Sequence, residues 1–390
     1  MHPVLFRIPI PRWNIPFLGR VGEVPIFSYG VMLGLSLVVG WFLTLRLCAK
    51  DGLDREQMAN CYVVTALVAL LGSRVMFLVT SPKDFHSLAD VFAFRGGGLV
   101  AYGGFLGGFL GSYVFMKWKR VRLLPWADAA IPSLASGLAI TRLGCYLFGC
   151  DYGRPLGASA PSWLKGLGTF PKWPAGLIAD GAGSPAWLEH LNRGLISPTA
   201  TASLPVHPTQ LYESLVGGLL FLLLLRVRKQ QRFRGQVFFV GTFGYGALRF
   251  LLELVRDDPE RGQVPFSAPR HLLLPFCLAL FATAFTLTTS RLVLNNTLRK
   301  VLQATSFVPA CIAAIALRPA AFASPERLAL STSQFLGLSS ALVAAVIYWV
   351  HERAAVANPA AAMALDLPVS AVLSPSRSAD TERSGSEDEP

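Results

Sequence analysis

The stretch AITRLGCYLFGCDYGRP, Ala139 to Pro155, closes a long apolar run and carries Arg142, Cys145, Cys150 and Asp151. A charged side chain at the centre of a bilayer costs about 3 kcal/mol on insertion scales, so it faces a protein interior where it occurs and marks a site or a pathway. Arg74 in LLGSRVMFLVT, Asp128 in PWADAAIPSLASG, and Arg249 with Glu253 in YGALRFLLELVR interrupt apolar surroundings in the same way. Tyr245, Arg249, Glu253 and Arg256 follow one another at i, i+4, i+8 and i+11, which puts all four on one stripe of a helix. A lone Arg249–Glu253 pair is explained by helix packing. Three guanidiniums near one membrane face are not, whereas an anionic lipid headgroup requires them, because the planar fork of arginine suits bidentate phosphate binding.

Two further segments have the composition of a site. RGGGLVAYGGFLGG, Arg95 to Gly108, is dense in glycine, which lets a second helix or a headgroup approach the backbone. Gly107 and Gly108 read as helix packing at least as well as ligand contact. Gly96 to Gly98, with Gly103 and Gly104 flanking Tyr102, read as a binding loop. In VHPTQLYES, Val206 to Ser214, the chain returns to apolar sequence with His207, Gln210, Tyr212 and Glu213 at the entrance. A lone interfacial histidine is usually only solvated, but this one falls on the side of the arginines.

The elements that must position these residues are membrane spans. Of 390 residues 53% are hydrophobic and only 15% charged, against about 25% charged in soluble domains, and the mean hydropathy is +0.48. Apolar runs near the length that crosses a bilayer, about 20 residues, lie at 26–47, 60–80, 97–118, 124–148, 211–227, 236–255, 271–289, 305–321 and 331–350. The eighth is the weakest. No signal peptide is visible, since MHPVLFRIPIPRW lacks a compact apolar core and a small-residue cleavage site. The net charge of +12 reflects no nucleic-acid partner. Its lysines and arginines cluster after runs one, three, five and seven, which by the positive-inside rule places those loops in the cytoplasm, the N-terminus outside and the C-terminus inside. Six cysteines form neither a metal-ligand spacing nor a disulfide framework.

The organisation expected is an all-α polytopic helical bundle. Residues 1–150 hold an outer N-terminal segment and spans one to four, and 151–207 a small extracytoplasmic cap rich in Gly, Pro, Ser and Trp. Residues 208–262 hold spans five and six, 263–328 an added two-helix hairpin, and 329–353 the final span. Residues 354–390 end in SPSRSADTERSGSEDEP, a composition expected to be a disordered cytoplasmic tail.

Together these segments resemble the prolipoprotein diacylglyceryl transferase family. The likeness runs in order through FSYGVMLGL, GSRVMF, GGGLVAYGGFLGG, ITRLGCYLFGCDYGRP, HPTQLYES, YGALRFLLELVRDDPERG and LSTSQFLGL. It implies a seven-span core and an enzyme of the bacterial inner membrane. The reaction implied moves the diacylglyceryl group of phosphatidylglycerol to the lipobox cysteine of a prolipoprotein, forming a thioether and releasing glycerol phosphate. No cofactor or metal is implied. Arg142 and Arg249 would hold the phosphate. Tyr29, Tyr245, Glu253 and Arg256 would line the site, Glu253 orienting an arginine, with Arg74, Gly103, Gly104, Gly153 and Arg154 as further binding residues.

The chain also departs from the family pattern. Tyr102 stands where the family often has a histidine, so Tyr102, His207 or the donor phosphate itself takes the thiol proton. Cys145 and Phe148 replace asparagines and Cys150 a glutamate. Residues 263–328 lengthen the passage to the last span. A lipid-binding paralogue without activity shares these features. A solute transporter predicts internal repeats, which the sequence lacks.

Overall fold

The structure, a computed structural model, describes residues 1–15, 19–81, 98, 100–174, 177, 183–257, 262–293, 295–318 and 326–365. Thirteen helices lie among them: α1 (Ser28–Lys50), α2 (Arg55–Thr80), α3 (Ala101–Lys119), α4 (Leu123–Phe148), α5 (Ser162–Leu167), α6 (Pro185–Asn192), α7 (Thr209–Arg228), α8 (Gln236–Glu253), α9 (Arg270–Leu287), α10 (Asn296–Thr305), α11 (Val308–Ala316), α12 (Thr332–Ala357) and α13 (Pro359–Ala362). Seven stretches among the described residues are long and apolar enough to cross a membrane: α1, α2, α4, α7, α9, Asn296–Ala316 and α12. The protein is a polytopic helical membrane protein. Side chains such as Phe42, Leu67, Leu106 and Leu222 stay exposed on the helices, as surface that meets lipid must.

The closest helix partnerships are α2 with α3, α1 with α4, α8 with α12, and α4 with α7. Between α2 and α3 the contact is backbone on backbone. A Cβ at Gly103 would collide with the Gly72 carbonyl oxygen and with Met76, and one at Gly104 would reach within 2.6 Å of Ser73 Oγ. Gly103 and Gly104 lie inside the first turn of α3, so the binding loop expected there is corrected to a helix–helix seam. Gly96 and Gly97 fall outside the described residues. Gly103→Val is expected to destabilise the protein by about 1–3 kcal/mol through overpacking, read as a lower melting temperature of the detergent-solubilised chain, with no selective effect on turnover in the molecules that remain folded.

Asp128 is wholly buried in α4, and its partners explain it. Its carboxylate accepts from the Gly235 backbone N–H at 2.5 Å, the Phe238 N–H at 2.9 Å and Gln231 Nε2 at 2.5 Å. The two backbone N–H groups are donors at the start of α8, which a helix leaves without partners of its own. Asp128 therefore ties α4 to the first turn of α8.

Three features differ from the reading of apolar runs. Two antiparallel ribbons accompany the helices, β1 (Val4–Ile15) with β2 (Gly19–Phe27) and β3 (Gln263–Pro269) with β4 (Arg327–Ser331). The eighth run, 305–321, holds one short helix among the described residues: α11, with nine residues, is about 14 Å long against a hydrocarbon core of about 30 Å, and α10 before it shares only Thr305 with the run. The segment between α8 and α12 is thus α9 with a bent α10–α11 return, α9 packing on α8 and α12 through Phe243, Phe250, Leu274, Phe281, Ala341 and Ala345. Finally, residues 354–365 are not part of a disordered tail. α12 continues to Ala357, α13 follows, and backbone carbonyls from Ala361 to Leu365 accept hydrogen bonds from Arg122 and Arg234. Residues 366–390 lie outside the described residues.

The segment between α4 and α7 has its own small core of Tyr152, Phe170, Ala186 and Val206. Backbone bridges pair Pro155 with Val206 and Pro171 with Ala202, and Gly153 pairs with Arg256 just past α8. The last of these fastens the segment to the membrane helices beside the arginines.

Candidate active site

At one end of the bundle, α4 contributes Arg142, α7 contributes Glu213, and α8 contributes Arg249 and Glu253, with Arg256 in the turn beyond. Asp151 enters from the reversal after α4. Helix α4 stops at Gly149, whose φ of +82° is readily available only to glycine, and two residues later the Asp151 carboxylate faces back toward the helix end.

These six side chains form one ion-pair network. Asp151 is clamped on both oxygens, with Oδ2 2.5 Å from Arg142 Nη1 and Oδ1 2.5 Å from Arg256 Nη2. Glu213 is the hub: its oxygens pair with Arg142 Nε and Arg249 Nη1, and Arg256 Nη1 lies 3.7 Å away. Glu253, fully buried, pairs with Arg249 Nη2 at 3.0 Å. Three guanidiniums thus balance three carboxylates. Side-chain hydrogen bonds to its backbone hold the Asp151 turn in place: the Thr209 hydroxyl donates to the Asp151 carbonyl at 2.5 Å and Gln210 Nε2 to the Cys150 carbonyl at 2.5 Å.

Tyr102 joins this network through a residue that the sequence did not suggest. Its hydroxyl donates to Ser333 Oγ at 2.7 Å, and Ser333 Oγ accepts from Arg249 Nη2 at 3.2 Å. Ser333 sits in the first turn of α12, a helix whose start is fixed by a capping box between Ser331 and Gln334. The Tyr29 ring lies near enough to Arg142 and Asp151 to feel both charges. Tyr245 stands in the same relation to Arg249, Glu213 and Arg142.

Other expected site residues stand elsewhere. His207 faces Tyr212, with Nδ1 3.3 Å from the phenol oxygen, and burial lowers its imidazole from the ordinary range. It stands at the entrance of α7, where its backbone pairs both ways with Gly153 and Arg154. Gly153 serves that pairing: a Cβ there would lie 2.6 Å from the Val255 carbonyl oxygen and 2.7 Å from His207 Cβ. The Arg154 side chain is exposed, and its backbone N–H donates to Val255. Arg74 is buried in α2, donates to the Gly98 carbonyl at 3.0 Å and lies over the Phe77 ring, so it ties down the chain entering α3.

Burial alone would raise the Asp151 carboxyl, but Arg142 and Arg256 override it and hold it down at about 2. A folded value below the ordinary one means that the pairing stabilises the protein above about pH 4 and is lost only as the pH falls through about 2. Between about pH 4 and about pH 8 the network is therefore expected to keep Asp151 charged. A pH–rate profile with an acid limb near 4 that disappears in Asp151→Asn would contradict this.

A guanidinium cluster of this kind, buried at one end of a membrane bundle and internally neutral, can accept a phosphate by exchanging carboxylate partners for phosphate oxygens. Comparison with known proteins points the same way. Residues 16–288 match the family model described as prolipoprotein diacylglyceryl transferase, a range that takes in the whole network except Ser333. A phosphatidylglycerol–prolipoprotein diacylglyceryl transferase of Thermus thermophilus is 31% identical over 277 residues, 66% of this chain and 93% of that protein. One of Clostridium tetani is 27% identical over 249 residues, 64% of this chain and 88% of that protein.

Proposed function

The chain belongs to the prolipoprotein diacylglyceryl transferase family, and from that premise we propose that it moves the diacylglyceryl group of phosphatidylglycerol to the lipobox cysteine of prolipoproteins. The observation that carries the reading is the convergence of Arg142, Arg249 and Arg256 on Glu213 and Asp151 at one end of the bundle. With lysines and arginines gathered at the other end, this end faces outward from the bacterial inner membrane, with the N-terminus outside and the C-terminus inside. There the 151–207 segment caps the site on the extracytoplasmic side, where signal-peptide segments of prolipoproteins arrive.

The reaction is a displacement at carbon. The cysteine sulfur attacks the terminal carbon of the diacylglyceryl group, an S–C bond forms, and the C–O bond to phosphate breaks with its electron pair going to oxygen. As that bond breaks, the phosphate of the departing glycerol phosphate gains one negative charge over what it had in the lipid. Arg142 and Arg249 hold the phosphate bidentately and meet that charge as it develops, in a site too buried for water to screen it. Glu213, Glu253 and Asp151 keep the guanidiniums aimed while the site is empty of lipid. Tyr102 donates its own proton to Ser333, which leaves its oxygen as an acceptor for the incoming thiol. The thiol proton ends on the departing phosphate.

The test is complementation. In a bacterium depleted of its own transferase, the wild-type chain is expected to convert a reporter prolipoprotein to the thioether-linked form, read by intact mass. Proper insertion without any lipidation would sink the reading.

A further inference from the structure

Cys145 and Cys150 are five positions apart, and on a continuous helix they would point about 140° away from each other. The helix does not continue. α4 ends at Phe148, and Gly149 and Asp151 both take positive φ, +82° and +58°, so the chain turns back on itself between the two cysteines. Their sulfurs and one Asp151 carboxylate oxygen consequently all lie within 4.8 Å of one another. Cys145 Sγ is 3.7 Å from Arg142 Nη1, and Cys150 Sγ is 3.9 Å from Asp151 Oδ2. The pair thus straddles the ion pair that Arg142 makes with Asp151.

A metal is a poor fit. Both Asp151 oxygens are taken by arginines, which leaves two thiols where a structural zinc asks for four ligands. A disulfide asks for two sulfurs and a chain reversal, and both are here.

We propose that Cys145 and Cys150 form a redox pair that closes a disulfide across the turn carrying Asp151, and so sets how firmly the arginine clamp is held. The proposal rests on the outward-facing reading above, because disulfides persist on the oxidising side of the membrane. Cys150, the more accessible of the two, loses its proton to water and attacks a disulfide of the oxidant, a protein or low-molecular-weight disulfide, releasing one thiolate. Cys145, deprotonated in turn, displaces the second thiolate from this mixed disulfide. The pair has then lost two protons and two electrons, its S–S bond has formed, and the oxidant has become two thiols. Closure joins the last turn of α4, one turn beyond Arg142, to the residue before Asp151. In the closed form a covalent bond pins the turn that carries Asp151 to α4, and in the open form only its ion pairs and the hydrogen bonds from Thr209 and Gln210 hold it.

The experiment uses the full chain in phospholipid nanodiscs poised in glutathione buffers, with differential alkylation and mass spectrometry of the peptide that holds both cysteines. The transfer rate is measured in parallel. At oxidising poise both thiols are expected to be blocked as one intramolecular bond and recovered by reductant, with a several-fold fall in rate on reduction. Cys150→Ser is expected to leave Cys145 open to alkylation in every buffer and to make the rate indifferent to poise. Equal alkylation of both thiols at oxidising and reducing poise would overturn the proposal, as would bonds to other sulfurs. A bond that closes without changing the rate would overturn its link to the clamp. A chain that closes the bond yet never transfers lipid would sink the transferase reading and leave the redox pair standing, so the two failures are distinguishable.

Discussion

Arg249→Ala is expected to lower kcat/KM for diacylglyceryl transfer by about 10²–10³-fold, the usual cost of removing a preorganised donor to a developing oxyanion. Arg249 is the point where three parts of the site meet. It pairs with Glu213 from α7, with Glu253 one turn along α8, and with Ser333 from α12, through which Tyr102 is reached. On the proposed mechanism its loss removes a phosphate ligand, and it uncouples Tyr102 from the network in the same step. Arg249→Lys separates charge from geometry. An ammonium keeps the charge but loses the fork that spans two oxygens, so activity is expected to fall between those of Arg249→Ala and the wild type. Rates are compared at equal amounts of folded, inserted protein. Near-wild-type activity of Arg249→Ala would remove the phosphate clamp from the mechanism.

Glu213→Ala is expected to destabilise the fold by about 3–5 kcal/mol, the range for stripping one partner from a buried ion pair. The Glu213 side chain is only 4% exposed and contacts Arg142, Arg249 and Arg256. Without it three guanidiniums face one another across a space that only Asp151 and Glu253 partly neutralise. A phosphate can supply the missing charge, so phosphatidylglycerol is expected to raise the melting temperature of Glu213→Ala more than that of the wild type, as preferential binding to the folded state requires. A zwitterionic lipid should not. An unchanged melting temperature in Glu213→Ala would show that Glu213 is not the counter-charge of the cluster.

The contrast between Arg249 and Glu213 shows what the sequence can disclose. Arg249 and Glu253 are legible because their spacing is local, four residues on one helix, whereas Arg256, expected on the same stripe, lies past the end of α8 and bridges to Gly153. Glu213 sits one turn into α7, where a carboxylate also reads as a solvated helix start, and its partner Arg249 is 36 residues further on. Asp151 and Arg256 are 105 residues apart, and Ser333 is 84 from Arg249. No periodicity links such positions, and a serine at a helix start has a capping explanation already. Glycine misled in the other direction. Gly103 and Gly104 beside an aromatic residue suit a loop and a helix seam equally, and only the position of Gly72 on α2 decides. Hydropathy placed the long helices to within a few residues, since each must bury or solvate its side chains in hydrocarbon. It was blind to the shortness of α11, because apolar composition does not say where a helix starts or stops.

The hydrogen bonds that Arg122 and Arg234 make to the carbonyls of residues 361–365 have a consequence in the order of biogenesis. Arg122 lies between α3 and α4, Arg234 between α7 and α8, and Leu365 packs among Leu45, Leu53 and Met58 around the α1–α2 loop. Three loops made early in translation are therefore fastened by a segment that leaves the ribosome after all the long helices. Until that segment is released, these loops lack their common tether. The bundle is completed from its last-made end, so a chain cut short after α12 would carry every arginine of the site and still miss the step that locks its helices together.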